Sequence, residues 1–426
     1  MSSRLTSSQE SLPGTVPRFR RALGRRASFW TAAAVAALAL WTSAAPSVSY
    51  PLYATEWHLT PTTTNAIFAI YPIVLVVVLV VFGDLSDHIG RRASIVLGLV
   101  AMLVGVLLFA VAPGVGWVFV GRAFMGLGVG LSLSPASAAM VDFSPPGQVA
   151  RASSITTAAT ATGLALATLA GGALVQYAPF PLHLNYWLLA VIVTAVLGLA
   201  WFLPRHVAGE DPQPWRLRGL TIPRGMRGIF ATSALAVTAA YTLGSVVLAM
   251  GAQIAHQLVG SDNVLVTGAV LSVSAVVIGV VAIVSRRLPS RVLIAGGTAA
   301  SILGLGLLTL SAATHSLATF LAASALTGAG YSLNFLGGLT LVNTFAPARH
   351  RAGMLSSVFV IAYLMQGATA LLLGASATAS GLEVALDLGS PAISVVCVAA
   401  LVLVLTLARP ARVVPVQETT HQEPVS

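Results

Sequence analysis

The chain has 426 residues, of which 57% are hydrophobic and 8% charged, and its formal net charge is +10. A water-soluble globule carries about 25% charged residues, so this chain lacks the polar surface to be one. Its basic residues, all 22 of them arginine, sit between apolar runs and not among aromatics, which excludes a nucleic-acid platform.

Residues 1–27 are a basic tail carrying Arg4, Arg18, Arg20, Arg21, Arg25 and Arg26. Apolar runs then follow, each near the ~20 residues that cross ~30 Å of hydrocarbon. The first six are Ser28–Ser49, Thr63–Phe82, Ala93–Ala112, Trp117–Val141, Ser153–Tyr177 and Leu184–Leu203. The second six are Gly228–Ala255, Val264–Ser285, Val292–Ala312, Leu317–Asn343, Gly353–Thr378 and Ser390–Ala408. Runs this long without period-two alternation predict helices, which satisfy their own backbone in lipid. The fold class is therefore all-α integral membrane, with twelve transmembrane helices in two six-helix bundles, residues 28–203 and 228–408. Between them, 204–227 is the longest polar connection and reads as a linker, and 409–426 is a tail. Gly24-Arg25-Arg26 before an apolar run outlines a cleavable twin-arginine signal. Its removal would leave eleven helices, so a retained first helix is the expectation.

Arginine placement tests the helix count independently. Every arginine except Arg122 lies in a tail or an even-numbered loop: Arg91 and Arg92 after helix 2, Arg151 after helix 4, Arg286 and Arg287 after helix 8. Odd loops hold only acids and histidines, such as Glu56, His183, Asp262, Glu383 and Asp387. The positive-inside rule then predicts both termini in the cytoplasm and a plasma (inner) membrane location. A missed helix would have put later arginines on the wrong side.

The densest charge cluster is Gly83-Asp84-Leu85-Ser86-Asp87-His88-Ile89-Gly90-Arg91-Arg92, between helices 2 and 3. Two glycines permit a sharp reversal. Asp87 lies before a helix start, where the dipole favours an anion, and Asp142 at the end of helix 4 is a candidate partner for Arg91 or Arg92. This loop resembles the helix 2–3 signature of the major facilitator superfamily of secondary transporters, on Gly83, Leu85, Asp87, Gly90, Arg91 and Arg92. The resemblance implies a twelve-helix, pseudo-symmetric fold and a drug-efflux-like transporter. It also implies a cytoplasmic latch of Gly83, Asp87, Gly90, Arg91, Arg92, Asp142 and Arg151 that holds an outward-facing state. The plainer alternative is that these charges fix topology alone.

Helix 4 carries Arg122-x-x-x-Gly126-x-Gly128, similar to a second pattern of that family tied to proton-coupled export or to the binding site. Burying that charge costs on the order of 2.5–3.5 kcal/mol; snorkelling to the exterior is the alternative. On helix 5, Gly163, Gly171 and Gly172 match an exporter pattern whose central Gly-Pro is replaced here by Ala167-Thr168, which leaves simple helix packing as good a reading. Helices 4 and 10 echo one another around Arg122 and Ser324, as two six-helix repeats of a transporter would.

Uncharged pathway candidates are Ser134, Tyr241, Tyr331, Asn334 and Gln366, with Trp41, Gln253 and Tyr363 beside them; hydrogen bonding between helices is the alternative for each. No acid lies in the middle of an apolar run, so Arg122 leaves any cavity neutral to positive, favouring neutral, amphiphilic or anionic cargo. No Walker, HExxH or GxSxG pattern stands in a credible context, so the chain is not read as an enzyme. The expected function is secondary transport of a small organic solute by alternating access, with export of drug-like or metabolic compounds first. Uptake of a nutrient or organic anion is the alternative, and a non-transporting sensor the alternative of another class. Expected partners are the solute, protons as the candidate coupling ion and membrane lipids, with no nucleic acid and no cofactor; a monomer is expected.

Overall fold

The computed structural model describes residues 23–83, 85–145, 148–204, 225–260 and 262–407. The two tails and residues 205–224 of the central linker lie outside them. The first membrane passage is a broken one: α1 (Arg25–Ala44) runs through a tight turn (Ala45–Ser49) into α2 (Tyr50–Glu56). Pro46 and Pro51 impose the break, because neither carries the N–H that an α-helix would use four residues back. Then come α3 (Pro61–Val81), a short surface helix α4 (Leu85–Ile89), α5 (Arg91–Ala110), α6 (Val115–Asp142), α7 (Val149–Tyr177) and α8 (Leu184–Ala200).

The second half opens the same way. Helix α9 (Arg227–Ser245) widens into a π-turn (Val246–Met250) and continues as α10 (Gly251–Gln257). It is followed by α11 (Val264–Val284), α12 (Ser290–Thr314), α13 (Leu317–Phe345), α14 (Ala348–Ser380) and α15 (Leu382–Leu407). Ten passages among the described residues are long and apolar enough to span a bilayer. The other two of the twelve are α8, an apolar helix of 17 residues, and α13, of 29 residues, whose middle carries Ser324, Thr327, Tyr331, Ser332 and Asn334.

Several ends differ from those read in the sequence. The first passage reaches Glu56, beyond Ser49, because polar residues at its outer end continue the helix past the hydrocarbon. Helix α15 starts at Leu382 and not Ser390, so Glu383 and Asp387 lie on exposed positions of its first two turns, where the helix dipole favours acids. The connection from α14 is Gly381 alone, at φ +93, a conformation that needs no Cβ.

Small residues set the helix pairs. In the first half α5 and α6 interlock through Gly98, Gly105, Gly121 and Gly128; a Cβ on Gly105 would lie 2.7 Å from Gly121 O. In the second half α12 and α13 repeat this with Gly297, Gly304 and Gly330. Contacts between the halves are symmetry mates of one another, α3 against α14 and α7 against α11. At the second of these, Gly172 sits against Val264 O and Gly268 against Thr168 O. Gly268→Leu is therefore expected to wedge α7 from α11 and destabilise the protein by about 1–3 kcal/mol, the usual cost of overpacking. Thermal unfolding of the purified protein checks this, and an unchanged midpoint would show that the backbone there can give way.

Candidate functional site

The largest fully buried side chain is Arg122, on α6, with 0% exposure. Its placement follows from the break in the first passage. Because Pro46 has no N–H, Thr42 O has lost its helical donor, and the turn at Ala45–Ser49 also disturbs the next carbonyl. Arg122 Nη1 lies 2.7 Å from Ser43 O and 3.5 Å from Thr42 O. The guanidinium also lies 4.7 Å from the Tyr71 ring centroid and 5.6 Å from that of Phe68, both on α3. Cation–π contact with two desolvated rings, each worth about 2 kcal/mol or less, together with two carbonyl acceptors, offsets much of the cost of burial. The side chain lies between α6, α1 and α3 and does not reach the exterior, so the snorkelling alternative does not hold. Its Nε and Nη2 have no hydrogen-bond partner among the described residues.

In front of this cluster lies a cavity of about 770 Å³ between the halves. The first half contributes Leu40 and Ser43 of α1, Tyr71 of α3, Leu133 of α6 and a polar stripe on α7, namely Ser153, Ser154, Thr157, Thr160 and Thr168. The second half contributes an aromatic wall. Tyr241 of α9 stacks near Tyr331 of α13 at 6.0 Å and meets Tyr363 of α14 edge-on at 4.6 Å, with Phe335 6.1 Å from both Tyr241 and Tyr331. Gln366 also lines the cavity, and its Oε1 has no hydrogen-bond partner among the described residues. A turn of π-helix begins two residues after Gly244, where a Cβ would lie 3.3 Å from the Tyr331 ring, so α9 approaches the aromatic wall closely.

The cavity reaches the surface at the arginine-bearing end, between exposed Ser153, Arg286, Arg287 and Asn343. Arg286 Nη1 donates to Ser154 Oγ at 2.9 Å, a bond from one half to the other across that mouth. The far end is closed. There Thr62 and Thr378 hydroxyls lie 2.7 Å apart, Gln253 Nε2 donates to Thr64 Oγ1 at 2.8 Å, and Val264 N donates to Gln176 Oε1 at 2.7 Å. No Asp or Glu lines the cavity among the described residues, and no three metal-ligating side chains converge among them. What remains is hydrogen bonding, ring stacking and guanidinium charge.

Of the pathway residues read from the sequence, the structure brings Tyr241, Tyr331 and Gln366 to the cavity and places Arg122 one layer behind its Ser43–Tyr71 wall. Two lie elsewhere. Asn334 is on the opposite face of α13, where its side chain packs against Gly297 and donates to Ser301 Oγ at 3.1 Å on α12. Ser134 is exposed on α6, while its neighbour Leu133 faces the cavity. Gln253 serves the closed end, and Tyr363 joins the aromatic wall. Tyr71, Ser43, the α7 stripe and the pair Arg286–Arg287 were not singled out as site residues. The doubled arginine, at the position in the second half that mirrors Arg91–Arg92, was the available signal.

In the signature loop, Gly83 is in the turn before α4 and Gly90, at φ +87, links α4 to α5. Arg91 pairs with Asp142, tying the start of α5 to the end of α6 within one half. Arg92 lies 5.7 Å from the Trp201 ring, and Arg151 bonds Gln148 at 3.0 Å. The side chain of Asp87 lies outside the described residues.

Comparison with known proteins places this geometry. The family model of the Major Facilitator Superfamily matches residues 29–370. The puromycin resistance protein pur8 of Streptomyces alboniger is 25% identical over 184 residues, 43% of this chain and 35% of that protein. The multidrug efflux pump LfrA of Mycolicibacterium smegmatis is 29% identical over 194 residues, 43% of this chain and 37% of that protein. The chain thus spans little more than a third of the length of these curated relatives. Among solved structures, a POT family transporter in complex with a thioalcohol-conjugated peptide superposes with a TM-score of 0.73 at 13% identity, covering 91% of this chain and 97% of the other.

Proposed function

We propose, because this chain belongs to the major facilitator superfamily, that it exports a small organic solute by alternating access through the cavity between its halves. The observation that carries alternating access is the asymmetry of the 770 Å³ cavity: it reaches the arginine-bearing surface and is closed at the opposite one by contacts between the halves; the exporting direction rests on the efflux and resistance relatives. With the positive-inside rule, the arginine-bearing end is cytoplasmic and both tails lie there, in a plasma membrane. The cavity is then loaded from the cytoplasm, and export follows when the contacts at Thr62–Thr378 and Gly172–Gly268 part. The multidrug and puromycin-resistance relatives favour drug-like or metabolic compounds as cargo. Uptake of a nutrient or organic anion uses the same machinery in reverse and is the second reading.

The signature loop acts on the other gate. When the cytoplasmic side closes, Asp87, Arg92 and Arg151 complete a latch around the Arg91–Asp142 pair, which is already made within one half, with Gly83 and Gly90 giving the turn. Asp87→Asn is expected to reduce transport strongly without loss of membrane insertion; wild-type rates would remove Asp87 from the latch. Coupling to protons has no cavity carboxylate to run through among the described residues, so the driving force is tested directly. Efflux of a fluorescent drug from proteoliposomes is measured with and without an imposed pH gradient. Gradient-dependent movement supports antiport, gradient-independent movement supports facilitated transport, and absence of any solute movement would defeat the transport reading.

A further inference from the structure

The two walls of the cavity differ in chemistry, and its mouth carries charge of one sign. The ring wall of Tyr241, Tyr331, Phe335 and Tyr363 offers π-faces and phenol edges but no formal charge. Arg286 and Arg287 both line the mouth and are exposed there, and no acid lines the cavity among the described residues to neutralise them. Two guanidinia at a membrane face serve in most chains as topology markers or lipid anchors. Here Arg286 is instead turned across the mouth to Ser154 of the other half, in a hydrogen bond to an uncharged hydroxyl that a carboxylate or sulfonate, bringing opposite charge, would readily displace. The separation of the two subsites is fixed by register. Ser332 Oγ donates to Ile278 O at 2.8 Å, which sets the level of Tyr331 on α11, and the helical rise from Ile278 to Arg286 is about 12 Å.

We infer that the preferred cargo class is an elongated aromatic monoanion, its ring system seated against Tyr241, Tyr331 and Tyr363 and its acid group about 12 Å away on Arg286 and Arg287. This rests on the transport reading only in calling the ligand cargo; the binding mode stands on the cavity itself. A cation would meet repulsion at the mouth and find no carboxylate within. A neutral analogue keeps the ring contacts and loses the guanidinium contact.

The test is calorimetric titration of the purified full-length protein with 7-(2-naphthyl)heptanoate, long enough to span the two subsites, its primary amide and the corresponding 7-(2-naphthyl)heptylamine. The carboxylate is expected to bind at least ~10-fold more tightly than the amide, the strength of a charge-assisted contact, and the ammonium more weakly than either. Arg286→Gln combined with Arg287→Gln should bring the carboxylate to the level of the amide and leave the amide unchanged. Arg286→Lys with Arg287→Lys should retain most of the preference, which separates charge from folding. Tyr331→Leu should weaken all three ligands together. Equal or tighter binding of the amine, an anion preference that survives the Gln pair, or no binding of any probe would overturn the inference. Anion-selective binding without movement in proteoliposomes would overturn the transport reading and leave the site intact.

Discussion

Arg122→Ala is expected to abolish solute movement while leaving the protein folded in the membrane. The energetic consequences of the substitution partly cancel. Removal of the guanidinium strands Thr42 O and Ser43 O at the break of the first passage, which costs about 1–3 kcal/mol for unpaired buried carbonyls. It also removes a buried charge whose insertion costs about 2.5–3.5 kcal/mol. The ring contacts with Phe68 and Tyr71, about 2 kcal/mol or less each, are lost as well, so a net loss of about 1–4 kcal/mol is expected, and thermal unfolding in detergent reads this directly. Transport has no such cancellation. Arg122 holds the ends of α1 and the Tyr71 ring of α3 in one arrangement, and those are the elements that form the cavity wall at Ser43 and Tyr71. Arg122→Lys keeps a charge but loses the planar guanidinium that lies against two rings while one nitrogen meets the carbonyls, so partial transport is expected from it. A wild-type rate from Arg122→Ala would reduce the residue to a packing element, and a larger fall in stability would show that the carbonyls dominate.

Much of the architecture was legible because hydrocarbon length and arginine placement are two independent signals. The apolar runs located all twelve passages, and the arginine alternation fixed their number without reference to length. Ends were less legible, as at Leu382, because a helix continues past the hydrocarbon wherever its polar residues are on exposed positions. The breaks in the first passage of each half divide instructively. Pro46 and Pro51 stand at the first, although the apolar run was read straight through to Ser49, whereas the π-turn at Val246–Met250 contains no proline and marks itself only in the backbone.

The site was legible in composition more than in position. Tyr241, Tyr331 and Gln366 reach the cavity, but Asn334 does not, because α13 is packed on more than one face and a polar residue can satisfy itself on α12 as well as face a solute. Nothing in the spacing of a helix buried on several sides says which face is wet. Arg286 and Arg287 read as topology markers in the sequence, and only the bond to Ser154 reveals that they stand at the mouth of the cavity. Arg91 and Asp142 were natural partners by charge, yet their pairing joins α5 to α6 inside one half, so whatever opens and closes must move this pair as a unit.

The closed end offers the most direct trial of movement between the halves. Thr62 of α3 and Thr378 of α14 place their hydroxyl oxygens 2.7 Å apart across the boundary, so Thr62→Cys with Thr378→Cys brings two sulfurs within bonding reach. The native Cys397 is buried, which keeps it out of the reaction. Oxidised, the double variant should be locked with its cavity open only toward the arginines: transport should fall to background, while solute binding from that side persists. Reduction should restore transport, and neither single variant should respond to oxidant. Full transport by the cross-linked protein would mean that the two halves need not part at this end, contrary to the alternating opening proposed above.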